Sequence, residues 1–472
     1  MKSLGRNVKE SLLIQKFLKT NNSHIFYFWD ELSDEEKDQL INELNNIELN
    51  KIKKYYEQYD ENHQQNLDFK PADCFTIEER TKDLKEVGEE ALRRGEVAFL
   101  TVAGGQASRL GYENPKGNFP ISPIKNKSLF QIFAEKIKFY TEYYSNNFKW
   151  YIMTSETNYN DTKEFFVKND FFKLDKNNVV FFKQGMFPTI TLDGKLILSD
   201  KNKLFLNPDG HGGILKALLK NGLIKDMNAQ GIKYLSYFQV DNPLINLADP
   251  YFIGYHISKK SKVTTKVIKK LYPEEKLGCI VNSLEKNSII EYSDLPKEKM
   301  YEKDSAGELK YLFGSIGIHI FNVDFLLKAT SKLPIHFAKK QIEGYIFKEN
   351  DIAEKGQMNA IKFETFVFDV IAFANKSFFF ETDREDEFAP LKNKTGVDSI
   401  ETCIKGQISQ YKNWLKKSGL LITDLTDQKL EISPLFTPDE IIFLEKAKKQ
   451  PEYIKQKIYD ENGNLRENIF ID

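Results

Sequence analysis

The sequence lacks most of what builds metal cages, disulfide frameworks and membrane spans. Three cysteines, Cys74, Cys279 and Cys403, are scattered over 472 residues, and no two form a Cys-x-x-Cys pair. That spacing excludes a zinc ribbon and a thioredoxin-like redox centre, and it suits a reducing compartment. No stretch approaches the roughly 18 uninterrupted apolar residues of a membrane span. Even VFDVIAFA at 367–374 carries Asp369. Charge interrupts the apolar residues of the N-terminus every few positions, so no signal-peptide core is present and a cytoplasmic location is expected. Net charge is also missing: 68 Lys and Arg oppose 69 Asp and Glu, leaving −1. That balance argues against a nucleic-acid or membrane partner, while a local basic cleft stays compatible with it. Two well-known phosphate loops are absent. No Ser or Thr follows a Gly-Lys pair as GxxxxGK[ST] demands, and Gly104 and Gly105 are adjacent, which breaks GxGxxG.

What remains is enough for a large core: 41% of residues are hydrophobic, and 37 Phe and 22 Tyr supply bulk. Length allows about three domains, or one large domain with additions at both ends. Residues 1–95 read as a helical N-terminal region. Ser33 followed by Asp34, Glu35 and Glu36 is a capping box, with Leu40, Ile41, Leu44 and Ile47 at helical spacing behind it. Pro71 and Cys74 fall in a loop, and 81–94 is a second amphipathic helix. Residues 96–394 alternate strands (97–102, 150–154, 179–182, 234–240) with helices (161–168, 212–219, 250–258). Continuous apolar runs of strand length indicate strands buried on both faces, so the fold class is α/β, a mixed, mostly parallel Rossmann-like sheet. Residues 279–292 read as an antiparallel hairpin turning near Lys286-Asn287, and 313–321 as a further strand. Residues 395–472 form a small C-terminal domain with helices near 408–415 and 440–447.

Four segments carry candidate chemistry. The first is VAGGQASRLG at 102–111 with Pro115-Lys116-Gly117. A buried strand ends in two glycines, whose backbone lets a ligand approach closely and whose N–H groups form an anion nest. Arg109 forks onto phosphate oxygens and Lys116 adds a point charge. The alternative is a tight turn with solvated charges. In the second, PDGHGG at 208–213, glycines open a helix whose N-terminal donors suit an anion or a base edge. His211 there has no other ligand spaced to join it on a metal. The third is FQVDNP at 238–243: Asp241 ends a buried strand, and magnesium favours one or two carboxylates plus substrate phosphates. An Asx-turn or a helix cap is the competing reading. The fourth, REDEFAPLKN at 384–393, reads by itself as a solvated charge run.

These segments, with WYIMTS, FFKQGMFP and FVFDVIAFA, resemble the eukaryotic-type UDP-N-acetylglucosamine pyrophosphorylases of the UDP-sugar pyrophosphorylase group. They occur in the family's order across about residues 96–395. The resemblance implies the nucleotidyltransferase (GT-A-like) fold. It implies transfer of a uridylyl group from UTP to N-acetylglucosamine 1-phosphate, with Mg²⁺ and no covalent protein intermediate. By position it gives Val102, Gly104 and Gly105 to the uridine and its phosphates, and Arg109 and Lys116 to the triphosphate. Gln184 and Gly210 go to the uracil, with His211 beside them, and Asp241 to the metal. Gly278, Glu291, Tyr292 and Ser315 border the sugar, Phe366 and Phe368 lie beside the N-acetyl group, and Lys392 faces the sugar phosphate. A monomer or weak homo-oligomer is expected. Three positions depart from the family: Ser108 for Thr, His211 for Asn, and Ser315 for Asn. The last two fall around the sugar, so UDP-glucose, UDP-galactose or broad UDP-sugar pyrophosphorylase activity is the alternative. A non-catalytic nucleotide-binding module is the second alternative.

Overall fold

Apolar runs of five and six residues form the centre of one eleven-stranded sheet. The computed structural model describes residues 5–61, 68–330, 332–348, 352–421, 425 and 428–472. The sheet strands in chain order are β1 Lys70–Pro71, β2 Cys74–Phe75, β3 Val97–Val102, β4 Trp150–Thr154, β5 Val179–Lys183 and β6 Tyr234–Gln239. They continue with β7 Val263–Lys269, β8 Gly278–Ser283, β9 Lys286–Ile290, β10 Phe313–Asn322 and β11 Ser377–Glu381. The main path runs β2-β11-β7-β10-β6-β3-β4-β5. All neighbours on it are parallel except β10, which is antiparallel to both β6 and β7. β8 branches from β10 and pairs with β9 in a hairpin. The mixed, mostly parallel sheet expected from the apolar runs is therefore present.

Helices flank the sheet: α1 Lys82–Arg93, α2 Leu129–Tyr143, α3 Tyr159–Lys168, α4 Pro250–Ser258 and α5 Ile400–Lys417. Their starts follow local chemistry. Ser128 accepts from the Gln131 N–H at the head of α2, and Asp249 accepts from Tyr251 and Phe252 at the head of α4, where Pro250 needs no donor. α1 and α4 touch backbone to backbone, since a Cβ on Gly88 would lie 1.9 Å from the Pro250 carbonyl oxygen. Within the same core Lys266 is fully buried, and its ammonium is held by Asp249 at 2.7 Å and by Glu387. Removing either carboxylate would leave an uncompensated buried charge. The C-terminal stretch is tied to this core. Glu431 accepts the N–H groups of Ile124 and Lys125 at 2.7 and 2.8 Å, which pins the loop leading into α2.

The sheet and its helices form one compact unit, residues 68–184, 214–332 and 368–472. A second unit comprises residues 1–67, 185–213 and 333–367. There the helices Val8–Leu18, Asp34–Asn45 and Leu49–Glu61 share a core with residues such as Phe187, Ile190, Leu204, Ile361 and Phe363. The Ser33 capping box forms as expected. The long antiparallel pair His336–Lys348 with Ile352–Glu364 was not anticipated. Lysines and glutamates break its apolar alternation, and much of its surface stays open to solvent.

Two local expectations are corrected. Pro71 and Cys74 lie in short strands, Pro71 opposite Val281 and Cys74 opposite Phe379, and not in a loop. The β8–β9 turn falls at Leu284-Glu285, both with positive φ (49° and 64°), two residues before the expected place. A two-residue turn of that hand normally announces itself with Asn-Gly, and that signal is missing. The 366–374 segment is a 3₁₀ helix, Val367–Phe373. Among the described residues no helix is long and apolar enough to cross a membrane.

His256 on α4 supplies a test of this core. It is fully buried, with Nδ1 2.8 Å from Thr264 Oγ1 and Nε2 2.6 Å from Asn322 Oδ1. Burial pushes its imidazole down from 6.5 to about 4, against the opposing Asn322 contact. The unfolded chain therefore binds an extra proton between those two values. The stability contribution is complete above about pH 6.5 and is lost as pH falls toward about 4, a change on the order of 3 kcal/mol. Urea unfolding midpoints are expected to drop across that window, and His256→Gln to flatten the drop.

Candidate active site

The parallel strands β3, β4, β5 and β6 all end on the same edge of the sheet. From β3 the chain proceeds outward through β4 to β5, whereas β6 lies on the other side of β3. The strand order thus reverses between β3 and β6, and a crevice at such a reversal is where open α/β sheets bind ligands. The glycine loop leaves β3 on one side of it and Asp241 follows β6 on the other.

Each side of this crevice is built for close approach. Gly104 has no room for a side chain: a Cβ there would lie 2.5 Å from Gln184 Oε1 and 3.3 Å from the Ser155 nitrogen. Gly105 differs, because a Cβ on it would meet nothing within 4 Å, so its backbone is open to a ligand. The loop is closed by Lys116, whose N–H donates to the Gly105 carbonyl at 3.4 Å. Gly117 lies against Phe130, with 2.1 Å between its would-be Cβ and the ring. That contact fixes the turn from which Lys116 projects. Its ammonium sits 3.3 Å from Asp241 Oδ2, and both side chains are largely sheltered, at 15% and 14% exposure. Arg109 is exposed on the same loop and pairs with no carboxylate among the described residues. Val102, half-buried, ends β3 and accepts the Val240 N–H.

Lys392 belongs to the same unit. The Leu391 N–H donates to the Asp241 carbonyl at 2.8 Å, so the 384–393 segment is laced to the strand end that carries Asp241. Asn242 completes the lacing. Its Nδ2 donates to the Glu387 carbonyl at 2.7 Å, and its Oδ1 accepts from Ala389 at 3.2 Å. The sequence reading did not single out Asn242, although an Asn before Pro at a strand end was a visible turn signal. The ammonium of Lys392 lies 3.2 Å from Asp398.

A third group gathers on β8–β10. Gly278 lies opposite Ser315, and a Cβ on Gly278 would lie 2.6 Å from Ile289 and 3.8 Å from Glu291 Oε1. Tyr292 follows Glu291 and is 37% exposed. β10 shifts register between Ser315 and His319, where Gly317 (φ 72°) comes close to the Gln239 amide at the end of β6. The bulge therefore brings the Ser315 region to the crevice edge. Phe368 is buried in the same unit.

Gly210, His211 and Phe366 lie in the second unit. Here an expectation changes. The Gly212 N–H donates to the Thr365 carbonyl at 2.9 Å and the Gly213 N–H to the Gly210 carbonyl at 3.0 Å. These helix-opening donors are spent inside the protein. His211 Nδ1 accepts the Val367 N–H at 3.2 Å, and its ring stacks on Phe366 at 5.3 Å between centroids. His336 stacks on Phe366 at 4.2 Å. Burial pushes the His211 imidazole down from 6.5 to about 4, so it is neutral at physiological pH.

Asp241 is compatible with a magnesium ion. Its Oδ2 already faces a cation, at the edge where phosphates would enter. No group of three or more His, Cys, Asp or Glu that could hold a metal ion is found among the described residues, so any metal here would take its other ligands from substrate and water.

The sequence model of the family described as UTP–glucose-1-phosphate uridylyltransferase matches residues 48–402. The chain belongs to this family. Within it, the chain is 33% identical to the UDP-N-acetylglucosamine pyrophosphorylase of Saccharomyces cerevisiae, over 87% of this chain and 92% of that one. It is 33% identical to UDP-N-acetylglucosamine diphosphorylase 2 of Arabidopsis thaliana, over 90% and 89%. The crystal structure of the UDP-N-acetylglucosamine pyrophosphorylase of Trypanosoma brucei is similar throughout, with TM-score 0.81, 26% identity and 99% of both chains covered. The nucleotidyltransferase fold expected from the motifs is thereby shown.

In this pyrophosphorylase scaffold Gly104 is the tightest point of the glycine loop. Gly104→Ala is expected to displace the Gln184 amide and weaken UTP binding by about tenfold or more, a loss of at least about 1.4 kcal/mol. Titration calorimetry checks this, with an unchanged melting temperature as the control for folding.

Proposed function

We propose that this chain transfers a uridylyl group from UTP to N-acetylglucosamine 1-phosphate, releasing pyrophosphate. The observation that carries this reading is the Lys116–Asp241 pair, set across the reversal point beside a glycine loop, in a chain of the uridylyltransferase family. In this reading Gly104 and Gly105 admit the nucleotide phosphates against backbone, and Val102 and Gln184 border the uridine. Arg109 and Lys116 neutralise the triphosphate. Lys392 orients the sugar phosphate, one oxygen of which attacks the α-phosphorus in line. A bond forms from that oxygen to phosphorus as the bond to pyrophosphate breaks, so no covalent intermediate on the protein is required. The chain supplies position and charge, as in other phosphoryl-type transfers.

A magnesium ion held by Asp241 and the substrate phosphates would supply further neutralisation of the leaving pyrophosphate. Gly278, Glu291, Tyr292 and Ser315 border the sugar, while Gly210, His211, Phe366 and Phe368 keep the roles that the resemblance assigns. His211 and Ser315 favour a second reading, the same chemistry on glucose or galactose 1-phosphate. Three free cysteines support a reducing, cytoplasmic setting, and the proposal includes a monomer or weak homo-oligomer.

Pyrophosphate release from UTP, with N-acetylglucosamine, glucose and galactose 1-phosphates offered in parallel, tests the reading. Turnover chiefly with the first is expected. Turnover chiefly with the others reassigns the sugar, and none with any contradicts the proposal. Lys116→Ala and Asp241→Ala are each expected to lower kcat by about a hundredfold or more while the fold survives. Retained activity in both would remove their assigned roles.

A further inference from the structure

Lys392 carries a long, flexible side chain, and something has to hold its ammonium where a phosphate would meet it. The structure assigns that task to Asp398: we propose that its carboxylate is the positioning group for Lys392. This rests on the proposed reading of Lys392 as the residue that meets the sugar phosphate.

Three observations converge on Asp398. Its Oδ2 lies 3.2 Å from Lys392 Nζ, with both side chains partly exposed, at 36% for Lys392 and 26% for Asp398. Its main-chain carbonyl accepts two N–H groups, from Lys392 at 2.7 Å and Asn393 at 2.9 Å. One residue thus grips Lys392 through both backbone and side chain. Asp398 also has φ of 54°, in the left-handed region that L residues rarely adopt and that Asp and Asn tolerate better than most. Strained positions of this kind collect at ligand clamps and active sites.

The surroundings make the grip rigid. Asn393 Nδ2 donates to the Val397 carbonyl at 2.8 Å, closing the loop 392–398 upon itself. Next in sequence is Ser399, buried and capping α5 by accepting from the Thr402 N–H. On the other side, the Leu391 N–H is bonded to the Asp241 carbonyl. The loop is therefore anchored at one end to the helix and at the other to the strand end that carries Asp241. Cys403 is buried in the first turn of α5. Burial pushes its thiol up, Asp241 and Asp398 add to the rise, and Lys116 opposes it.

The carboxylate does for Lys392 what Asp241 does for Lys116: each ammonium is ordered before a phosphate arrives. Ordering a lysine in advance removes part of the side-chain entropy that binding would otherwise cost. The alternative is that Asp398 merely closes the loop through its backbone. Asp398→Asn separates the two, because Asn keeps the shape and the left-handed preference and loses only the charge.

The test is steady-state kinetics on the full chain with UTP, Mg²⁺ and the preferred sugar 1-phosphate. Asp398→Asn is expected to lower kcat/KM for the sugar phosphate by about tenfold and to leave KM for UTP within about twofold. In a Lys392→Ala background the same change is expected to have no further effect, since the group it positions is gone. Wild-type kinetics in Asp398→Asn would overturn the proposal, and so would an equal loss with and without Lys392. If Asp398→Asn does not fold, Asp398→Gly reads the same cycle, because glycine accepts the positive φ. An inactive wild type would remove the proposed function and this inference with it. An active wild type with an indifferent Asp398→Asn removes the inference alone.

Discussion

The interaction on which the rest of the site depends is the 3.3 Å contact between Lys116 and Asp241. It joins residues that lie on two different loops of the crevice. One follows β3 and the other follows β6, and the parallel pairing of these strands sets their ends side by side. An ion pair as sheltered as this one is not a source of much stability, because desolvation offsets most of the attraction. Its value is positional. It holds a cation and a carboxylate at the point where, in the proposed reaction, a triphosphate and a divalent cation would come between them.

The same logic recurs around it. Gly117 brings its loop against Phe130, which aims Lys116. Asn242 and the Asp241 carbonyl bind the 387–391 segment, which delivers Lys392. The C-terminal stretch is bonded to the same unit, since Glu431 holds the loop that leads into α2 and Ser399 caps α5. The C-terminal residues, given no role in the sequence reading, thus secure the approach to α2 and the exit of the loop that carries Lys392. The protein brings charge and fixed geometry to the chemistry, and each lysine is held by a neighbouring carboxylate.

Much of this was legible in the residues. Strands β3, β4 and β6 announced themselves as apolar runs because they are buried on both faces, and the half-buried edge strand β5 because only its last residue, Lys183, is polar. The glycine loop and Asp241 were legible as the ends of buried apolar strands, although a tight turn or an Asx-turn reads the same way in sequence. What could not be read was pairing at long range. Lys116 and Asp241 are 125 residues apart, and nothing local in either segment points to the other. The His336–Lys348 and Ile352–Glu364 strands were hidden because runs such as Lys339-Lys340-Gln341 and Glu354-Lys355-Gly356-Gln357 put polar residues on both faces and break the period of two. The Leu284-Glu285 turn was misplaced because it adopts the left-handed conformation without glycine or asparagine. Asp398 was invisible for the same reason: its unusual backbone is a property of the closed loop, not of its neighbours in sequence.

The central claim is that the two phosphates meet directly in this crevice, with no group of the protein attacking phosphorus. The stereochemical course at the α-phosphorus tests it most directly, with UTP made chiral there by a single sulfur substitution and the product's configuration read by ³¹P NMR. A single in-line displacement predicts inversion. Retention would mean two displacements through a covalent enzyme intermediate, and it would contradict the account.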